Sequence, residues 1–395
     1  MRERFNNPKL MLVLMAFTMP LTFNTWMALL NNFAIEVAQF SGREIGILQS
    51  LREVPGFLAF TAVFVLLVLR EQTFALLSLA VMCAGVAAVG YFPTVYGLYA
   101  TTVIMSIGFH YFETINKSLT LQWLTREEAP AYMGKLLSVK GAAALVSYGG
   151  LWLLLEWVQL PYREIYLVSG AIGLLLVIAI WLLFPRFPEV VEQHKTMVFR
   201  KRYWLYYVLT FLSGARRQIF VVFAGFLLVE KFGYSASEIT LLYLVNHALN
   251  MLFAGAIGRF IGRVGERRAL LFEYAGLVIV FASYGLVESG NLAAVLYVVD
   301  HLFFAMAIAI HTYFQKIADP KDIAATASVS FTINHIAAVV LPAALGLVWL
   351  VHPAGVFYVG AAIALTSLLF STLVPRHPDV GNETTLQSSQ KTQFS

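Results

Sequence analysis

Apolar runs long enough to cross a bilayer follow one another almost end to end, broken by short stretches of charge, proline and glycine. A span needs about 20 mostly apolar residues, because ~30 Å of hydrocarbon is crossed at ~1.5 Å per helical residue. Read this way, the spacing predicts helices near 10–32, 44–69, 73–92, 95–124, 130–157 and 163–184, then 203–230, 237–261, 267–287, 292–316, 322–350 and 355–374. The longest polar interruption before the tail, PRFPEVVEQHKTMVFRKR, divides them six and six. The expected organisation is a bundle over 1–184, a linker over 185–202, a second bundle over 203–374, and a tail over 375–395. The tail, rich in Gln, Ser and Thr, holds too little apolar surface to fold and is expected to be disordered.

Composition agrees: 59% of residues are hydrophobic and 12% charged, and the mean hydropathy is +0.75, values outside the range of water-soluble domains. This predicts an all-α integral membrane protein embedded in a lipid bilayer. The single cysteine, Cys83, lies in an apolar segment and supports neither a disulfide framework nor a thiolate metal site. The first apolar run is long enough to span and lacks a small-residue cleavage site, so it is expected to be retained. Lys and Arg gather on one side, from Arg2, Arg4 and Lys9 to Arg376 and Lys391, against Arg43, Arg163 and Lys231 on the other. That bias places both termini in the cytoplasm and explains the basic balance without a nucleic-acid partner.

The loop after the eighth span reads AGAIGRFIGRVGERRAL (254–270). Its Gly258, Arg259, Arg263, Gly265, Arg267 and Arg268 resemble the cytoplasmic signature of the major facilitator superfamily, in which glycine turns and short basic loops clamp neighbouring helices. The sequence departs from the pattern at Gly262, where the signature is acidic, and in LREQ (69–72), the short equivalent loop of the first half. The fourth span lacks the arginine of many proton-coupled exporters, and the fifth offers SYGG (147–150) without the antiporter proline. The resemblance implies a monomeric secondary active transporter without a cofactor, two pseudo-symmetric six-helix bundles rocking about a midplane cavity. Helices 1, 4, 7 and 10 would line that cavity, helped by 2, 5, 8 and 11.

A charge at the bilayer centre costs ~2.5–3.5 kcal/mol on insertion scales, so ionisable residues in spans are functional candidates. They fall as Arg52 and Glu53; His110, Glu113 and Lys117; Lys140; Arg216 and Arg217; His247; Asp300, His301 and His311; and His335. The third, sixth and twelfth spans are nearly free of them. Helical steps of three and four align His110, Glu113 and Lys117 on one face, and Tyr243, Asn246, His247 and Asn250 on another.

Each has a plain structural reading. Glu113 and Lys117 make an intrahelical ion pair, Arg52 and Glu53 another, and Asp300 pairs with Arg216 or Arg217. Against this stands a surplus of sign: Arg52, Lys117, Lys140, Arg216 and Arg217 face Glu53, Glu113 and Asp300, with Glu273 set aside as peripheral. Surplus cation suits an anionic small molecule. The expected substrate contacts are Arg52, Lys140 and Arg216 or Arg217, with Tyr243, His247 and His335. A carboxylate passing between water and a dry cavity changes its proton affinity, which makes Glu113 and Asp300, with His110 and His301, the proton-coupling candidates. A metal site ranks below, because the histidines lie singly on separate helices. The function expected is transport of a small organic anion by alternating access with proton coupling, in a bacterial inner membrane. The rivals are an exporter of amphipathic or cationic drugs and a membrane sensor.

Overall fold

The computed structural model describes residues 5–124, 129–187, 199–319 and 322–386, and their regular structure is helical. Twelve rods follow one another among the described residues: α1 (Pro8–Val37), α2 (42–66), α3 (Glu71–Val89), α4 (Val95–Trp123), α5 (129–158), α6 (Tyr162–Leu183), α7 (Lys201–Glu230), α8 (Ala236–Val264), α9 (Glu266–Leu286), α10 (Gly290–Ile317), α11 (Ile323–Val351) and α12 (Pro353–Ser371). Nine are long and apolar enough to cross a membrane, and α8, bent by 51° between Phe253 and Gly255, makes a tenth. The other two, α2 and α4, carry Arg52 with Glu53 and the stripe His110, Glu113 and Lys117.

Local chemistry starts the rods where they start. Pro8 occupies the first turn of α1, where its missing N–H has no helical partner to lose, and the Asn7 side chain accepts from the Lys9 and Leu10 amides at 3.0 and 3.3 Å. The second helix of each half opens on the same S-x-x-E box. Ser41 N donates to Glu44 Oε2 at 3.0 Å, and Ser235 N to Glu238 Oε2 at 2.8 Å, with Glu238 N returning to Ser235 Oγ at 3.3 Å. That repeat is a signal of internal duplication readable from the chain itself.

Three rods leave α geometry in mid-course. α2 passes through a 3₁₀ stretch at Leu58–Thr61, α7 through a π stretch at Phe220–Ala224, and α10 through a 3₁₀ turn at Ala305–Ala307.

The chain forms two compact units, each discontinuous. The first holds Met1–Phe40, Leu51–Gln193 and Tyr234–His247, and the second Ser41–Ser50, His194–Gly233 and Ala248–Ser395. The opening turns of α2 and of α8 thus belong to the opposite unit from the rest of their rods, a feature that a linear division at the linker does not contain.

Small residues set the packing, as expected where hydrocarbon offers no hydrophobic drive between helices. In the first unit a Cβ on Gly85 would lie 2.6 Å from Met105 N, and one on Gly108 2.3 Å from Met82 N, so α3 and α4 meet backbone to backbone. In the second, a Cβ on Gly46 would lie 2.3 Å from Pro342 O and one on Gly346 2.5 Å from Gly42 O.

The tail requires a correction. Residues 376–386 fold back: Tyr313 donates to Glu383 O at 2.6 Å, Thr385 N to Leu373 O at 2.9 Å, and Glu383 and Thr384 are buried. Backbone hydrogen bonds to the rod ends order this segment, which needs no large apolar surface of its own. Residues 387–395 of the tail and 188–198 of the linker lie outside the described residues.

Candidate functional site

In the first unit, α2, α4 and α5 carry the charges. Arg52 and Glu53 are both buried and pair with each other, Nε to Oε1 at 3.0 Å. The Arg52 guanidinium also lies 5.8 Å from the Trp26 ring, and Ser106 Oγ on α4 donates to the Arg52 carbonyl. Lys140 Nζ on α5 donates to Glu113 Oε1 on α4 at 2.8 Å, with the two side chains 28% and 22% exposed. Glu113, expected to pair with Lys117 within α4, thus holds a cation of the neighbouring rod, and Lys117 is exposed one turn further on.

Tyr148 of α5 stacks on two rings of α8, Tyr243 at 5.4 Å and His247 at 5.2 Å, interplanar angles 15° and 23°. Between those two, Asn246 is buried, and its side-chain amide has no hydrogen-bond partner among the described residues. His110 is buried on α4.

In the second unit the sequence expectation changes most. Arg216 is fully buried and donates to Glu273 Oε1 on α9 at 3.3 Å, its guanidinium 5.7 Å from the Tyr274 ring and 5.4 Å from that of Phe304. One correction follows: the hydrogen-bonded partner of Arg216 is Glu273 and not Asp300. Arg216 is fully buried. Adjacent helical residues differ by about 100° in direction, so Arg217 is exposed instead. Asp300 is itself fully buried, within electrostatic reach of Arg216 and Glu273. His301 packs on Phe220, Tyr297 and Phe304 at 5.2, 5.0 and 5.9 Å, and His335 is buried on α11. With Glu273 counted, the surplus of positive charge over negative shrinks to Arg52, Lys117, Lys140, Arg216 and Arg217 against Glu53, Glu113, Glu273 and Asp300.

At the loop between α8 and α9, Gly265 has φ +82°, a left-handed conformation that only glycine adopts freely, and it starts α9. Arg259, Arg263 and Arg268 are exposed, Arg267 half-buried and Gly258 open. Glu266, next in sequence, is buried and pairs with Lys316 at the end of α10 at 2.7 Å.

Sequence reasoning missed Glu266 and Ser106 and set Glu273 aside. Glu273 carried a signal, an acid in a membrane span, but its rod was expected to be peripheral. The Lys140–Glu113 pair joins two rods, and no spacing rule within one helix reveals it.

Ten of the twelve rods among the described residues, α8 counted across its bend, are long and apolar enough to cross a membrane, which defines a multi-pass membrane protein. The family model of the Major Facilitator Superfamily matches residues 10–342, and the chain belongs to that family of transporters. No curated protein sequence matches the chain. Among solved structures it is similar to the nucleoside transporter NupG (TM-score 0.72, 15% identity, 93% of this chain and 98% of that one covered). A bacterial homolog of the human lysosomal transporter Spinster, in an inward-facing and occupied conformation, gives TM-score 0.70 at 14% identity, with 93% and 96% covered. A POT family transporter in complex with 5-aminolevulinic acid gives 0.74 at 14%, with 92% and 96% covered. At these identities the likeness establishes the fold.

Proposed function

We propose that the chain is a secondary active transporter that moves a small organic anion by alternating access, coupled to protons, as a monomer in a bacterial inner membrane with both termini cytoplasmic. The distribution of Lys and Arg supports the orientation. The observation that carries the substrate reading is the Lys140–Glu113 pair.

Lys140 is an ammonium already held by one carboxylate at 2.8 Å, and both partners are partly open. An incoming carboxylate or phosphate is chemically the same kind of partner. It takes the ammonium when Glu113 gives up its charge, which Glu113 does by binding a proton: an O–H bond forms on the carboxylate and Lys140 is released to the solute. Proton and anion are then loaded together. Arg52 is held by Glu53 in a more buried setting, which leaves Lys140 the better contact. The wall formed by Tyr148, Tyr243 and His247, beginning two turns further along α5, offers flat apolar surface to an organic body.

The test is uptake by proteoliposomes of a panel of organic anions and organic cations, with and without an acid exterior. Anion uptake driven by the acid gradient and lost in Lys140→Ala supports the reading. Uptake of cations only, indifferent to Lys140→Ala and dependent on Glu113, overturns it in favour of a drug exporter.

A further inference from the structure

We infer that Arg216, Glu273 and Asp300 form a proton-loading switch seated at the breaks of α7 and α10. The inference rests on the proton-coupled reading above but concerns a different site, in the second unit, and a rod that the expected cavity does not include.

The charge count comes first. One guanidinium and two carboxylates are fully buried together, and Glu273 interacts electrostatically with both Arg216 and Asp300. Net charge in an enclosed apolar site is strongly unfavourable. One proton from water, bound to an oxygen of either acid, forms an O–H bond and brings the triad to zero without any other change.

Hydrogen bonding points the same way. Glu273 Oε1 takes the Arg216 bond, whereas Glu273 Oε2, both oxygens of Asp300, and Nε and Nη1 of Arg216 are buried without a hydrogen-bond partner among the described residues. Such groups are costly unless satisfied, and a carboxyl that gains an O–H becomes a donor to its unpaired neighbour. The other titratable groups facing the triad are Tyr274, beside Glu273 and beneath the guanidinium, Tyr284, which faces Asp300, and His301 on α10.

Position gives the site its consequence. Arg216 lies one turn before the π stretch Phe220–Ala224 of α7, and Asp300 just over one turn before the 3₁₀ turn Ala305–Ala307 of α10. The breaks adjoin: the ring of Phe220, in the π stretch, lies 5.7 Å from that of Phe304, the residue before the 3₁₀ turn, and the Arg216 guanidinium sits over Phe304. Irregular turns inside long helices mark places where a rod bends. A proton that decides which carboxylate Arg216 holds therefore acts directly on the contact between two bend points.

The experiment reads the proton and not the transport. Infrared difference spectra of the purified full-length protein, over a pH series in detergent, report the carbonyl stretch of a protonated carboxylic acid. The expected result is one buried carboxylic-acid band in the wild type that disappears in Asp300→Asn and equally in Glu273→Gln, because the remaining acid and Arg216 are already neutral. His301→Phe keeps the band. Amide hydrogen exchange over 216–224 and 300–308 should change across the pH range in which the band titrates, and lose that dependence in Glu273→Gln. No buried acid band in the wild type, a band that survives in either single variant, its loss in His301→Phe, or exchange at both breaks that ignores the band's titration overturns the switch. A band behaving as expected in a protein that shows no acid-driven uptake would leave this site standing and remove the transport reading; the reverse result would remove this site alone.

Discussion

Lys140 on α5 reaches across to Glu113 on α4, Nζ to Oε1 at 2.8 Å, in a pair that is neither sealed nor fully open. A partly exposed ion pair contributes little to stability, about 0–1 kcal/mol. Lys140→Ala is therefore expected to lower the melting temperature slightly while reducing anion uptake at least about tenfold, the factor that about 1.4 kcal/mol of lost binding produces. Glu113→Gln frees the ammonium permanently. It should keep anion binding, measured by thermal shift, and lose the acceleration of uptake by an acid exterior. A variant pair that loses stability and flux in parallel would make the pair structural.

Gly108 faces Met82 N at 2.3 Å and Ser78 O at 2.5 Å from where a Cβ would stand. Those are backbone atoms of α3 and cannot move aside as a side-chain end does. Gly108→Val should force α3 and α4 apart, at about 1–3 kcal/mol for overpacking, with Gly108→Ala intermediate. Thermal unfolding in detergent checks it, and an unchanged midpoint for the valine variant would refute the close approach.

Tyr313 holds the folded-back segment through Glu383 O at 2.6 Å. Tyr313→Phe keeps the ring and removes the donor, leaving a buried carbonyl short of a partner, a loss of about 1–2 kcal/mol. Because the bond goes to the main chain, the release is local. Limited proteolysis should cut within 376–386 faster in the variant, with the melting temperature of the twelve-rod body nearly unchanged.

These cases show where sequence suffices. The rods were legible because period, length and charge punctuation are properties of one segment at a time, and the caps Asn7, Ser41 and Ser235 mark their starts by chemistry within a few residues. Arg216 and Arg217 show the limit. Their adjacency guarantees that they point apart, but which one turns inward depends on α9 supplying Glu273 and Tyr274. The same holds for Lys140, whose partner lies twenty-seven positions away on another rod. The order in 376–386 was illegible because backbone bonds to Tyr313 and Leu373, and not apolar side chains, create it.

Asp322 at the head of α11 allows a prediction with a definite sign. Its carboxylate accepts from Arg200 Nε at 3.2 Å and Nη2 at 3.2 Å, from the Tyr203 hydroxyl at 3.0 Å, and from Arg202 Nη2 at 3.4 Å. The Arg200 hydrogen bonds, opposed by burial and aided by Tyr203 and the charge of Arg202, hold it below the usual carboxylate range. A carboxylate depressed on folding stabilises the native state above its unfolded value, about 3.9 for Asp, and that stability drains away as pH falls through the lower folded value. Asp322→Asn should accordingly lower the melting temperature at neutral pH, and the gap between variant and wild type should close only in strong acid. Arg200 is more than half exposed, so the effect is screened. The gap at neutral pH should narrow in high salt. A gap that persists unchanged into acid and into high salt would mean that Asp322 acts through the Tyr203 hydroxyl, with the charge of its arginine pairs contributing nothing.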